Sequence, residues 1–347
     1  MAQSSVEGWR DRGSTFSWAP ASGGAPAVDV FHVELGDPEA PPVVLVHGWP
    51  TCSIDWEAVA WDLGTDHRVC ALDFPGYGFS DKPRGWGYSL GRDEELLAFY
   101  LAEIVRHDGA TVVAHDRGDS VALLHALRCV EGRAQTRLGH LVLTNGNIFL
   151  PMSQLTSVQR RILDPTTGPP LVAQMTPELL AAGMGQTTFS PPRGGDDPEI
   201  RSLEATFAHA DGIAVLHETI QYLVERAHHE QTWLAGAARA TFPVTLVWGL
   251  EDTVSPPRVA SHVWHEYLSR SPHGNRLYLL PGANHYLQVD RPAAFSRVVR
   301  DTLAADPAQA LGLLDPEPGG PVLVDVSRPD LPLAADLLPP PAEGHAP

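Results

Sequence analysis

Six short apolar runs, each closed by turn-forming residues, constrain the fold of this chain more than any other feature. They are Val43–His47, Val69–Asp73, Thr111–His115, Leu141–Thr144, Val244–Trp248 and Leu277–Leu280. Being apolar at successive positions, they suit strands covered on both faces, as parallel strands between helix layers are. Helical patterns lie between them. In Asp93–His107 the residues Leu96, Leu97, Tyr100, Leu101 and Ile104 form one stripe at helical spacing, and Asp116–Cys129 reads the same way. Strands alternating with helices predict a mostly parallel sheet with right-handed crossovers and helices on both faces.

The alternation stops between Phe149 and Thr241. Helix-like pieces (Ser157–Leu163, Pro177–Met184, Ile213–Gln231) stand there among turns such as SPPRGGDDP, which reads as an inserted helical cap over residues 149–240. The sheet core is then residues 1–148 and 241–305. Residues 306–347 carry ten prolines and only short apolar patches such as PVLVDV, which predicts a largely irregular tail.

The chain has 347 residues, enough for one large domain or two smaller ones, and 43% of them are hydrophobic, so a sizeable core is expected. With 42 acidic against 24 basic residues the formal charge is −18, which repels nucleic acid and anionic membrane surfaces. No apolar run reaches the length of a membrane span, and MAQSSVEGWRDRGSTF lacks the form of a signal peptide, so a cytoplasmic location is expected. Three cysteines (Cys52, Cys70, Cys129) make neither a disulfide framework nor a zinc pattern. Lys82 is the only lysine, a usage that looks like a GC-rich bacterial genome.

The chemistry concentrates in Val112-Val113-Ala114-His115-Asp116-Arg117-Gly118, a strand leading through a sharp turn into a helix. Small residues on either side of the centre let such a turn lift one side chain above the sheet edge. That side chain is Asp116 where serine is usual. A carboxylate attacking an ordinary ester gives an anhydride, an uphill step. Attack on an epoxide carbon or a carbon bearing halogen gives an alkyl ester that water can cleave. Asp252, in the turn after Val244–Trp248, and His285, in PGANH after the last run, follow in the order nucleophile, acid, histidine. His285 would take a proton from water and Asp252 would fix its tautomer. Asn145 occupies the other place where an acid could stand, after Leu141–Thr144. The N–H groups of Trp49, in His47-Gly48-Trp49-Pro50, and of Arg117 are candidates for an oxyanion hole, with His47, Gly48 and Pro50 shaping the loop.

HGWPTCSIDW, LDFPGYGFSDKP, AHDRGDS, WGLEDTVSP and PGANHYLQVDRP together resemble the α/β-hydrolase superfamily, in its Asp-nucleophile branch of epoxide hydrolases and dehalogenases. A closer likeness, through HDRGDSVALL, LTNGNIFLP and IQYLVERAHHEQTWLAG, is to the mesoderm-specific transcript family of hydrolase-like proteins. The resemblance implies an α/β-hydrolase core with a helical cap and an Asp116-His285-Asp252 triad working without metal or organic cofactor. The implied substrate is a small apolar organic molecule, suggested also by Trp49, Phe149 and Phe189, and the implied assembly a monomer or homodimer. Epoxide hydrolases use cap tyrosines to protonate the opening ring. Tyr222 matches one such place and the cap holds no second tyrosine, so ring opening leans on one donor unless His217 or another cap group substitutes. Dehalogenases of haloalkanes usually carry Trp where Arg117 stands. Those of fluoroacetate carry a second Arg where Ser120 stands. Epoxide hydrolysis therefore ranks above dehalogenation. A small-ligand-binding protein on a retained hydrolase fold is the reading from another class. Arg117 could simply pair with Asp119, and His228-His229 reads as a solvated helix face rather than a metal site.

Overall fold

The computed structural model describes residues 6–21, 24–304 and 319–324. Among these residues nine strands form a single sheet: β1 (Ser14–Trp18), β2 (Val28–Leu35), β3 (Pro42–Val46), β4 (Arg68–Leu72), β5 (Ala110–His115), β6 (Leu138–Thr144), β7 (Val244–Gly249), β8 (Arg276–Leu280) and β9 (Val322–Leu323). Their order is β1-β2-β4-β3-β5-β6-β7-β8-β9. The six expected runs are β3 to β8, all parallel to one another, and every residue of β3, β5 and β7 is buried.

Helices α1 (Val6–Arg12), α2 (Glu57–Leu63), α3 (Leu90–Phe99) and α4 (Arg117–Val130) precede the long insertion. α3 opens on Ser89, whose side chain accepts the Arg92 N–H, and runs on into a π-helical segment at Tyr100–Val105. From β3 the chain goes to β4 on one side and then to β5 on the other. The β3/β5 boundary is therefore the point where strand order reverses, and the loops after these strands carry His47–Pro50 and Asp116.

The insertion between β6 and β7 is helical in its described secondary structure. It comprises α5 (Ser157–Leu163), α6 (Gly168–Val172), α7 (Pro177–Thr187), α8 (Pro198–Ala208), α9 (Leu216–Thr219) and α10 (Tyr222–Ala238). Thr156 and Gln159 form a reciprocal cap on α5; Thr176 and Asp197 cap α7 and α8, each followed by proline at the first helical position. The SPPRGGDDP turn thus ends by starting a helix, α8, that its composition concealed.

The single helix expected over Ile213–Gln231 is broken. The Gln221 amide donates to the carbonyls of His217 (3.0 Å) and Leu163 (3.2 Å), taking an acceptor that a continuous helix would use. The chain restarts at Tyr222. Beyond β7 lie α11 (Pro257–Val263), α12 (Leu287–Asp290) and α13 (Pro292–Leu303), the last burying Phe295, Val298 and Val299.

Three strands were not expected: β1, β2 and β9 are all antiparallel additions at the sheet edges. β9 comes from the PVLVDV patch of the tail, which was expected to be irregular; the rest of the tail expectation lies outside the described residues.

Candidate active site

Asp116 leaves β5 with φ 49° and ψ −107°, a conformation that costs a non-glycine residue energy and persists only where its surroundings enforce it. Its N–H donates to the Thr144 carbonyl at 3.1 Å, and its own carbonyl accepts the Asp119 N–H at 3.2 Å. The turn needs glycine on both sides. A Cβ on Gly118 would stand 2.7 Å from the His47 carbonyl oxygen, and one on Gly48 would stand 2.8 Å from the Asp116 Cβ. The Trp49 N–H donates to Asp116 Oδ2 at 3.0 Å, while Oδ1 is buried without a hydrogen-bond partner. One of the two expected oxyanion donors therefore already points at the carboxylate.

His285 and Asp252 meet as the motif order suggested. His285 Nδ1 lies 3.1 Å from Asp252 Oδ2, and Asp252 Oδ1 accepts the N–H groups of Val254 and Ser255, both at 2.8 Å. With Asp252 Oδ2 as acceptor, Nδ1 carries the proton of the neutral ring and Nε2 is left with a lone pair. Burial lowers the His285 pKa, but Asp252, Asp116 and Asp55 outweigh it, and the net displacement is upward. Asn145 serves as a bracket. Its Nδ2 donates to the carbonyls of Asn284 (2.7 Å) and His285 (2.8 Å), and its Oδ1 accepts the Gly249 N–H at 2.9 Å.

His47 is a loop organiser. Nδ1 donates to the Gly48 carbonyl at 2.8 Å and Nε2 accepts the Phe74 N–H at 3.0 Å, with burial pushing its pKa down to about 3. Pro50 and Trp49 line a cavity of about 320 Å³ between core and cap, together with Val158, Met175, Leu180, Met184 and His285. Phe149 and Phe189 do not line it: Phe149 stacks on His262 and Phe189 on Tyr286. Nor do Asp116, Arg117 or Tyr222, and the Asp116 side chain is only 2% exposed.

Arg117 is buried, and its partner is Asp93 of α3 rather than Asp119. Its guanidinium lies 5.1 Å from the Tyr77 ring centre, 5.4 Å from Phe74 and 5.5 Å from Tyr222. Tyr222 is buried with no hydrogen-bond partner for its hydroxyl; burial, and then the charge of Asp116, push its pKa well above the ordinary phenol value. His217 is engaged elsewhere, with Nδ1 on the Ile162 carbonyl at 2.6 Å. Tyr77, of LDFPGYGFSD, stands beside Arg117 as well. Its hydroxyl faces Thr219 without meeting hydrogen-bond geometry. Sequence reading gave that tyrosine no role because its loop reads as a tight turn.

Arg226 was also missed. From α10 it donates through Nε to Ser120 Oγ at 2.7 Å and through Nη2 to the Asp116 carbonyl at 3.1 Å, fully buried. Its place in VERAHH marks only a polar helix position. His228 and His229 are exposed, and no metal-binding cluster occurs among the described residues. No helix among the described residues is long and apolar enough to cross a membrane.

Residues 43–298 match the Alpha/beta hydrolase family. LipZ of Mycobacterium tuberculosis is 33% identical over 304 residues, which cover 87% of this chain and 99% of LipZ. The human mesoderm-specific transcript homolog protein is 27% identical over 298 residues, covering 84% of this chain and 85% of that protein. Among solved structures, the Cif epoxide hydrolase of Acinetobacter nosocomialis superposes with a TM-score of 0.71 at 16% identity, covering 86% of this chain and 92% of that one. A thermophilic esterase of Thermogutta terrifontis gives 0.67 at 17% identity, covering 84% and 98%. Likenesses this low in identity speak for the fold alone.

Proposed function

The chain belongs to the alpha/beta hydrolase family, and from that premise we propose that it hydrolyses epoxides to diols through an alkyl ester on Asp116. Asp116 Oδ1 attacks a ring carbon, the C–O bond of the ring breaks, and the alkoxide takes the Tyr222 proton. Water then attacks the carbonyl carbon of the ester while His285 Nε2 takes its proton. The N–H groups of Trp49 and Arg117 hold the tetrahedral oxyanion. Collapse releases the diol, whose leaving oxygen takes the proton from His285. The regenerated carboxyl group returns a proton to the phenolate.

The observation that carries this reading is the strained Asp116 with one oxygen held by the Trp49 N–H and the other free, in a site that also contains a His285–Asp252 pair. Against a serine mechanism, Ser120, a hydroxyl near Asp116, is inside α4 and bonded to Arg226. Haloacid dehalogenation is disfavoured because Asp93 already neutralises Arg117, the cation that would hold a substrate carboxylate. The apolar cavity walls favour an uncharged substrate. Asp116 does not line the cavity; Trp49 does, its N–H bonded to Asp116 and its Nε1 to Thr219 of α9 at 3.2 Å.

The test is a single turnover in ¹⁸O-water with styrene oxide, cyclohexene oxide, a long-chain terminal epoxide, hexyl bromide and chloroacetate. Label in the peptide containing Asp116, with an epoxide consumed, supports the reading. Consumption without label overturns the covalent mechanism. Label with only a halide consumed reassigns the substrate.

A further inference from the structure

A planar trans peptide points its C=O and N–H in opposite directions, so whatever fixes the carbonyl also aims the amide. The bond between Asp116 and Arg117 is such a peptide. Its carbonyl end is held from the cap by Arg226 Nη2 at 3.1 Å, beside the Asp119 N–H of the starting helix. Its amide end is the Arg117 N–H, in the first turn of α4, where no helical acceptor exists.

We propose that Arg226 is a positioning residue for the oxyanion hole, so that hydrolysis of the Asp116 ester depends on the cap being docked; this rests on the covalent reading above. Arg226 supplies two things at once. Its bonds to the Asp116 carbonyl and to Ser120 Oγ lock the elbow against rotation. Its charge on the carbonyl also polarises the peptide and makes the Arg117 N–H a stronger donor.

The residue is suited to this. It is 0% exposed, its guanidinium lies 4.8 Å from the Tyr222 ring, and one side chain ties α10 to both the elbow and the first turn of α4. Lysine could not reach both acceptors as a planar fork does. The dependence is specific to one step. Attack on an epoxide develops charge on the ring oxygen, away from this peptide, whereas ester hydrolysis develops it on the Asp116 carboxyl oxygen. Loss of Arg226 should therefore slow hydrolysis more than alkylation, which it touches only through the Tyr222 ring.

Two readouts decide. In the first, the epoxide that esterifies Asp116 fastest is mixed with wild type, Arg226→Met, Arg226→Lys and Ser120→Ala, and intact-protein mass is followed in time. Arg226→Met is expected to accumulate ester, with hydrolysis slowed about ten- to hundredfold and alkylation slowed much less. Arg226→Lys should recover part of that loss. A merely structural role would slow both steps together, and that outcome overturns the proposal, as does an unchanged hydrolysis rate.

The second readout needs no substrate. Carbonyl-¹³C aspartate with ¹⁵N arginine marks only the Asp–Arg bonds, which in this sequence are Asp11–Arg12, Asp116–Arg117 and Asp290–Arg291. Arg226→Met should shift the Arg117 amide resonance and leave the other two in place. If no epoxide esterifies either wild type or His285→Gln, the covalent reading fails. An unmoved Arg117 resonance instead shows that Arg226 does not hold the peptide.

Discussion

The two sides of the candidate site are built on opposite principles. The core side is held by the backbone: Asp116, Trp49, Asp252 and His285 sit on strand-end loops and are fixed by N–H groups, by Asn145 and by one another. The cap side is mostly apolar surface, with Val158, Met175, Leu180 and Met184 facing the cavity and Leu179 as much as 66% exposed. Rigid loops suit chemistry that fails when a donor moves by an ångström, and helices with aliphatic walls suit selection by size. Arg226, through the Asp116 carbonyl, and Thr219, through the Trp49 indole, are cap residues that reach across to the core side.

Substitutions on the core side should be far more costly. Asp116→Asn, which removes the proposed nucleophile, is expected to lower kcat/KM by roughly 10⁴-fold or more, and His285→Gln to trap the ester. A residual rate near wild type in Asp116→Asn would move the reaction away from this residue. Asp93→Ala leaves Arg117 buried and uncompensated and should cost about 3–5 kcal/mol in urea unfolding, whether or not substrate is present. A loss below about 1 kcal/mol would mean that Arg117 finds another partner or water.

On the cap side the effects should be smaller and should fall on KM. Met184→Trp fills cavity volume and is expected to raise KM for long epoxides by about 10–100-fold while leaving short ones untouched. Equal changes in kcat for all substrates would erase the contrast between the two sides. The proposed ester hydrolysis needs neutral His285, whose pKa Asp252 draws upward against burial, so its rate should climb as pH rises through a midpoint at that pKa. Asp252→Asn should move that midpoint to lower pH, because it removes the leading cause of the upward displacement. The smallest effect is expected at exposed Leu179: Leu179→Ala should stay within about 0.5 kcal/mol of wild-type stability.

What could be read from residues follows the same division. The parallel strands and the order Asp116, Asp252, His285 are local patterns, and each strand-end motif carries its own turn chemistry. β2 escaped because polar residues interrupt its apolar run (VDVFHVEL, with Asp29 and Glu34 exposed and His32 half-buried), whereas buried parallel strands are continuous apolar runs. α8 was hidden in a turn-rich stretch whose last residues, Asp197-Pro198, are a helix start. The contacts that could not be read are long-range: Arg117 with Asp93 across two helices, and Arg226 with a carbonyl 110 positions away. A buried arginine has the same letter as a solvated one, and only the fold decides which it is.

Tyr278 and Leu279 of β8 pair with Leu323 and Val322, and the Val324 N–H donates to the Leu277 carbonyl at 2.8 Å, so three tail residues cover the last parallel strand. Without them β8 would present a row of open amides and carbonyls on an apolar strand, a template for self-association. Truncation after residue 304 is therefore expected to leave the site chemistry intact yet yield protein that clumps on concentration. In this chain the same short piece that completes the sheet also acts as a stopper against its own copies.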